Sequence, residues 1–333
     1  MECGVRNDAA FLRKFYWKFG VSYGILKKGL LKKQKSFLFY PQNFLAVWRE
    51  VMLDVLLDAL LDTAKMLPFL FGAYLLIEVL EHKASQKMKR RLMHLGPLGP
   101  IGGAVLGIVP QCGFSVTAAN FYSGKLITMG TMLAVFLSTS DEAIPILISH
   151  PESFQYLWKM IVIKLITAIV TGIVVDLIYR LVFHKNDDTP DFEEVCDSCD
   201  CKHHNVVVSA IRHTISTTIF ILVINLVLGY AIYWIGEETI GTIMLNDTIF
   251  QPFLAALIGF IPNCASSVLL TELFTEGALS FGSTVAGLCA GAGMGLAVLF
   301  RTNKHHMKQN FIVLGILYSV AVVTGLLTDL IIA

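Results

Sequence analysis

The sequence predicts an all-α polytopic membrane protein of two homologous halves, inverted relative to each other, each with a helix broken at the membrane midplane. Three observations predict it. Of 333 residues, 55% are hydrophobic and 15% charged, with a mean hydropathy of +0.66, which ordinary soluble enzymes do not reach. Apolar runs at 64–79, 126–148, 157–183, 215–235, 279–300 and 311–333 approach the roughly 20 residues that cross a bilayer. Two further runs, 99–122 and 251–274, are long enough but interrupted, and they share a decapeptide.

The N-terminal arm, 1–43, carries Arg13, Lys14, Lys18, Lys27, Lys28, Lys32, Lys33 and Lys35. Beside a membrane domain such an arm is expected on anionic lipid headgroups at the cytoplasmic face rather than on nucleic acid. No cleavable signal is expected, because the first apolar run follows some forty polar and basic residues. Next comes a helical pattern bearing Asp54, Asp58 and Asp62 on one face. An extra crossing there is expected to be absent or partial. The first half is read as 44–183 and the second as 206–333, with a polar linker at 184–205.

The duplication rests on "GIVPQCGFSV", Gly107 to Val116, laid over "GFIPNCASSV", Gly259 to Val268; five of ten positions are identical and Gln111 faces Asn263. A second echo sets "TGIVVDLI", from Thr171, over "TGLLTDLI", from Thr324. Internal duplication with interrupted spans at matching positions is the sequence signature of a secondary transporter site. A proline removes a backbone hydrogen bond, and lipid satisfies none of the groups it releases. Each Pro-[Gln/Asn]-Cys motif is therefore expected to be the tip between two half-helices. The substrate-binding candidates are Pro110, Gln111, Cys112, Gly113 and Ser115 in one copy, and Pro262, Asn263, Cys264, Ser266 and Ser267 in the other. The bland alternative is a proline kink with cysteine as small apolar filler; two matched copies weigh against it.

"STSDEAIPIL" is the most polar point of the run at 126–148. Ionisable groups there suggest ion or proton coupling, with Ser138, Ser140, Asp141 and Glu142 as candidates. The matching stretch "GLCAGAGMG" reads as a small-residue surface for helix packing. The repeated Asp176 and Asp329 are expected to be structural, capping a helix or pairing with Lys159, Lys164 or Arg180. Glu78 and Glu272 are expected to snorkel near membrane ends, and His213 to be a satisfied interfacial histidine.

The seven cysteines make no disulfide framework. Cys196, Cys199, Cys201, His203 and His204 crowd the linker at a spacing suited to a soft or borderline metal ion. No nucleotide-binding signature is present, so transport is expected to run on a gradient. No histidine accompanies Cys112 or Cys264 in the broken segments, which argues against a cysteine-nucleophile enzyme.

On "GIVPQCG", "STSDEAIPIL", "GFIPNCASS" and "CDSCDCKHH" the chain resembles the ArsP-like heavy-metal exporters, ten-transmembrane permeases whose names invoke manganese transport or arsenic efflux. The resemblance implies a plasma (inner) membrane permease that exports a metal ion or metalloid, with no required cofactor and room for a homo-oligomeric state. The thiols suit a soft species such as trivalent arsenic, the carboxylates and hydroxyls a harder one such as manganese. Two alternatives stand beside it. One is a permease for a small anion, a sulfur-containing one included, and the other is a membrane-anchored metal sensor.

Overall fold

The structure is a computed structural model that describes residues 44–83, 98–140, 142–149, 153–183, 206–235 and 250–332. It divides into a short unit ending at Leu61 and a main unit, Asp62–Ala333; the functional site belongs to the main unit. The described residues are helical: α1 (Phe44–Lys83), α2 (Leu98–Gly107), α3 (Gly113–Ser123), α4 (Met129–Ser138), α5 (Ala143–Ser149), α6 (Phe154–Phe183), α7 (Val206–Ile235), α8 (Gln251–Gly259), α9 (Cys264–Thr275), α10 (Phe281–Ala290), α11 (Met294–Thr302) and α12 (Met307–Ile332). Residues 44–83 are one helix, so the aspartate stripe begins α1 and makes no separate crossing. By length and composition, six stretches among the described residues can cross a membrane: Val55–Val79, Met129–Ser149, Phe154–Leu181, Val207–Tyr230, Phe281–Thr302 and Met307–Ile332. This is an integral membrane protein. Its exposed side chains include Leu98, Ile101, Val105, Trp158, Ile166, Leu177, Phe311 and Leu330, the apolar coat that lipid requires.

Two of the runs expected to be continuous are broken. The chain leaves α4 at Thr139 and re-forms a helix at Ala143; it leaves α10 at Gly291 and re-forms one at Met294. Each break is short and lies within a run that is apolar on both sides, although 138–142 is the most polar point of the first. In the second, Gly293 takes φ 53°, ψ −142°, a backbone region essentially reserved for glycine.

The helices are locked by joints that occur twice. The Asp176 carboxylate on α6 accepts from the Gly130 backbone N–H at 2.8 Å and from Thr128 Oγ1 at 2.7 Å. Asp329 on α12 accepts from the Gly282 N–H at 2.8 Å and from Ser280 Oγ at 2.8 Å. Each aspartate thus caps the start of a neighbouring helix, α4 or α10, whose first N–H groups have no partner within the helix. The expected pairing of Asp176 with Lys164 does not form, because Lys164 is used elsewhere. The axes come close because glycines face glycines: a Cβ on Gly130 would strike the Gly172 carbonyl, and one on Gly282 the Gly325 carbonyl. Likewise a Cβ on Gly107 would strike the Val135 carbonyl, and one on Gly259 the Gly287 carbonyl.

After the breaks the two halves cross over. The post-proline helix α3 packs on α11, and its counterpart α9 packs on α5. The contact of α3 with α11 is tight: a Cβ on Gly295 would overlap Ser115 and Phe136.

Candidate functional site

Both proline loops fold by the same local bonds. The Gln111 N–H donates to the Val109 carbonyl at 2.7 Å and the Asn263 N–H to the Ile261 carbonyl at 2.7 Å. Ser115 Oγ donates to the Cys112 carbonyl and Ser267 Oγ to the Cys264 carbonyl, each at 2.8 Å. These bonds absorb part of the backbone polarity that the prolines release. The two amides then diverge. The shorter Asn263 caps its own helix, accepting from the Ala265 N–H at 3.4 Å, whereas the longer Gln111 reaches α1, its Nε2 donating to the Lys65 carbonyl at 2.8 Å. Lys65 in turn pairs with Asp62 at 3.2 Å.

The tips meet. Cys112 Sγ lies 3.7 Å from Cys264 Sγ, the two are thiols rather than a disulfide, and each residue is 6% exposed. Each sulfur stands where a helix begins, at the positive end of its dipole. Beside Cys264 is a cavity of about 10 Å³, the size of a single water. Asn263, Cys264, Ser266 and Ser267 line it from the second tip, Thr139 and Ser140 from the break after α4, and Leu288, Gly291 and Gly293 from the break after α10.

Lys164 is the residue that sequence reasoning misplaced. It sits inside the longest apolar run and is 1% exposed. Its Nζ donates to the Thr139 carbonyl at 2.5 Å and to the Leu288 carbonyl at 2.6 Å. These carbonyls belong to the two cavity-lining breaks, where helix ends lack partners for their acceptors. A lysine in the middle of an apolar span is itself the signal that points to such a role. Gly291 and Gly293 were missed because a Gly-Ala-Gly run reads equally well as packing surface.

Of the other expected site residues, Gly113 is buried, Pro262 half-buried and Pro110 exposed. Ser138 Oγ donates within its own helix, to the Ala134 carbonyl at 2.9 Å and the Val135 carbonyl at 3.1 Å. Ser140 lines the cavity, and Glu142 is half-buried just before α5. Asp141 lies outside the described residues, as do Cys196, Cys199, Cys201, His203 and His204. Among the described residues no three His, Cys, Asp or Glu side chains cluster as a ready metal cage. Glu78 does not snorkel: it is 1% exposed, accepts a hydrogen bond from Ser209 Oγ and faces His213.

A family model described as "Putative, 10TM heavy-metal exporter" matches residues 48–235 and 215–333. The chain belongs to that family. Among the described residues, six stretches are long and apolar enough to span a membrane, and α2 and α9 are shorter apolar helices. Membership sets the chain among membrane transporters. No curated protein and no solved structure matches the chain.

Proposed function

We propose that the protein is a secondary permease that exports a heavy-metal ion or metalloid by alternating access around the crossed Pro-Gln-Cys and Pro-Asn-Cys tips. The carrying observation is the 3.7 Å between Cys112 Sγ and Cys264 Sγ. Two sulfurs each about 2.3 Å from one tetrahedral ion lie about 3.8 Å apart. The pair is thus already spaced as two corners of a thiolate site, which suits a soft or borderline cargo. The Ser267 and Ser140 hydroxyls and the Asn263 amide stand beside the cavity to complete a transient coordination shell. Pro110, Gln111, Gly113, Ser115, Pro262 and Ser266 shape the tips. Glu142, half-buried just before α5, and the sequence neighbours Ser138, Ser140 and Asp141 are the ion-coupling candidates of this reading.

A residue touches its own duplicate only near an axis that relates the copies. The Cys112–Cys264 contact therefore favours halves related by a pseudo-two-fold axis through the site, the inverted repeat of many transporters. Rocking one half against the other would open the thiol pair first to one side and then to the other. The linker Cys196, Cys199, Cys201, His203 and His204 fits a capture site that delivers metal to the permease, and the basic arm fits the headgroup layer.

One observation favours a second reading. Lys164 donates to the carbonyls of two cavity-lining residues, Thr139 and Leu288, and two helix N-termini lie at the tips, a field that suits anions. A small sulfur-containing anion would suit that field. Accumulation of manganese, cadmium and arsenic in cells expressing wild type, Cys112→Ser and Cys264→Ser separates the two readings. Export predicts low content of at least one element in wild type and restored content in both variants. Equal content in all strains rejects metal export and leaves the anion.

A further inference from the structure

Beyond the thiol site, α1, α7 and α3 bury a second polar cluster. Glu78, on α1, is 1% exposed and His213, on α7, 5%. His213 Nε2 lies 3.8 Å from Glu78 Oε1. That is ion-pair distance, but longer than the 2.7–3.2 Å or so of a hydrogen bond. Ser209, one turn back on α7, donates to the same Glu78 oxygen. The His213 ring stacks on Tyr74, with centroids 5.5 Å apart and planes 23° off parallel. The Tyr74 hydroxyl is shared with Thr217 Oγ1 at 2.6 Å and donates to Asn120 Oδ1 at 3.3 Å. Asn120 belongs to α3, the helix that starts beside Cys112. The charged groups around the imidazole are Glu78 from α1, Arg212 from α7 and Arg301 from α11. The Arg301 guanidinium is held on α7 by the Ser216 carbonyl at 3.0 Å and Ser216 Oγ at 2.8 Å.

A carboxylate and an imidazole facing each other inside a membrane protein are costly unless used, and a relay of protons is one recognised use. His changes charge near neutral pH more readily than any other side chain. The cluster also holds a polar group that this state leaves unused: among the described residues, the buried Asn120 Nδ2 meets no hydrogen-bond partner. Such an amide is tolerated when another arrangement of the same network satisfies it.

We propose that Glu78 and His213 form the proton-loading site of the transport cycle, and that Tyr74 and Asn120 pass its state to the cysteine-bearing α3. One proton enters from the side of higher proton activity and binds His213 Nε2, turning a carboxylate facing a neutral imidazole into an ion pair. The 3.8 Å gap then closes, the imidazolium gains attraction to the Tyr74 ring, and the Tyr74 hydroxyl shifts against Asn120. The same proton leaves to the other side once the halves have rocked, and no other group changes its bonding. This assignment rests on the transport reading above, and it puts a coupled proton on a cluster separate from the thiol site.

The test uses full-length protein in vesicles with the membrane potential clamped, and Mn2+, Cd2+ and arsenite as probes. Two fluxes are compared: exchange of labelled for unlabelled probe without any gradient, and net accumulation driven by one unit of pH difference. One coupled proton supports about tenfold accumulation across that difference. Wild type is expected to show both fluxes for at least one probe. Glu78→Gln and His213→Asn are expected to keep exchange within about twofold and to lose the roughly tenfold accumulation. Tyr74→Phe, which removes the link to Asn120 and keeps the pair, is expected to lose accumulation likewise. Retained accumulation in Glu78→Gln overturns the proposal, as does equal loss of both fluxes, which marks the pair as structural. Wild-type exchange without any accumulation driven by the pH difference overturns the proposal and leaves the transport reading intact. Absence of wild-type exchange for every probe overturns the transport reading and the proton site with it.

Discussion

In the first half, the chain leaves α4 through Thr139, Ser140, Asp141 and Glu142; in the second, it leaves α10 through Gly291, Ala292, Gly293 and Met294. Around these unlike breaks the joints are alike: Asp176 and Asp329 cap α4 and α10 with matching bonds of 2.7–2.8 Å, over the same glycine crossings. Position 164 carries the other asymmetry, since Lys164 on α6 corresponds to the buried Leu317 on α12 when the repeated Thr-Gly motifs are superposed. The scaffold was thus kept where it holds helix ends together and changed where it faces the cavity.

The largest effect should come from the lysine. Lys164→Met removes donors from two buried helix-end carbonyls at about 1–3 kcal/mol each, so the thermal unfolding midpoint in detergent should fall further than for any substitution at the joints, the glycine break or the thiols. A midpoint unchanged from wild type would mean the ammonium bridge is incidental. Next come the joints. Asp176→Ala and Asp329→Ala each strip a carboxylate from a backbone N–H and a hydroxyl, at about 1.5–3 kcal/mol. Their midpoints should agree closely, and a wide gap between them would break the equivalence of the halves.

A smaller loss is expected at the glycine break. Gly293→Ala places a side chain at φ 53°, ψ −142° for about 1–2 kcal/mol, and it should disturb the cavity and so lower probe affinity as well. Full affinity in this variant would detach the second break from the site. The smallest stability change belongs to Cys112→Ser and Cys264→Ser, about 1 kcal/mol or less because volume is nearly conserved. Yet these two should reduce Cd2+ affinity in equilibrium dialysis by more than about tenfold, on the rule that a soft ion prefers thiolate to hydroxyl. A stability loss with unchanged affinity would make the sulfurs packing atoms.

Composition and the duplicated decapeptide carried the membrane class and the meeting of the tips, because a proline in lipid leaves a visible conflict that must be resolved at a buried, polar place. The aspartate caps were legible as a repeated structural element, though not as caps on a neighbouring helix, since sequence spacing does not say which helix starts nearby. The second breaks were hidden. Thr139 and Gly291 end their helices by turning the backbone, and Gly-Ala-Gly carries no polar mark of a turn. Glu78 was misread for a related reason: a carboxylate near the end of an apolar run looks solvated until the partner helix that brings Ser209 and His213 is known.

The proposed mechanism turns on one sulfur pair. X-ray absorption on the Cd2+-loaded full-length protein, with Cys196, Cys199 and Cys201 replaced by serine to silence the linker, reads the number of sulfur neighbours of the ion directly. Two sulfurs are expected, falling to one in Cys112→Ser and in Cys264→Ser. An oxygen-only shell, or a sulfur count indifferent to either substitution, would contradict a thiol-centred permease.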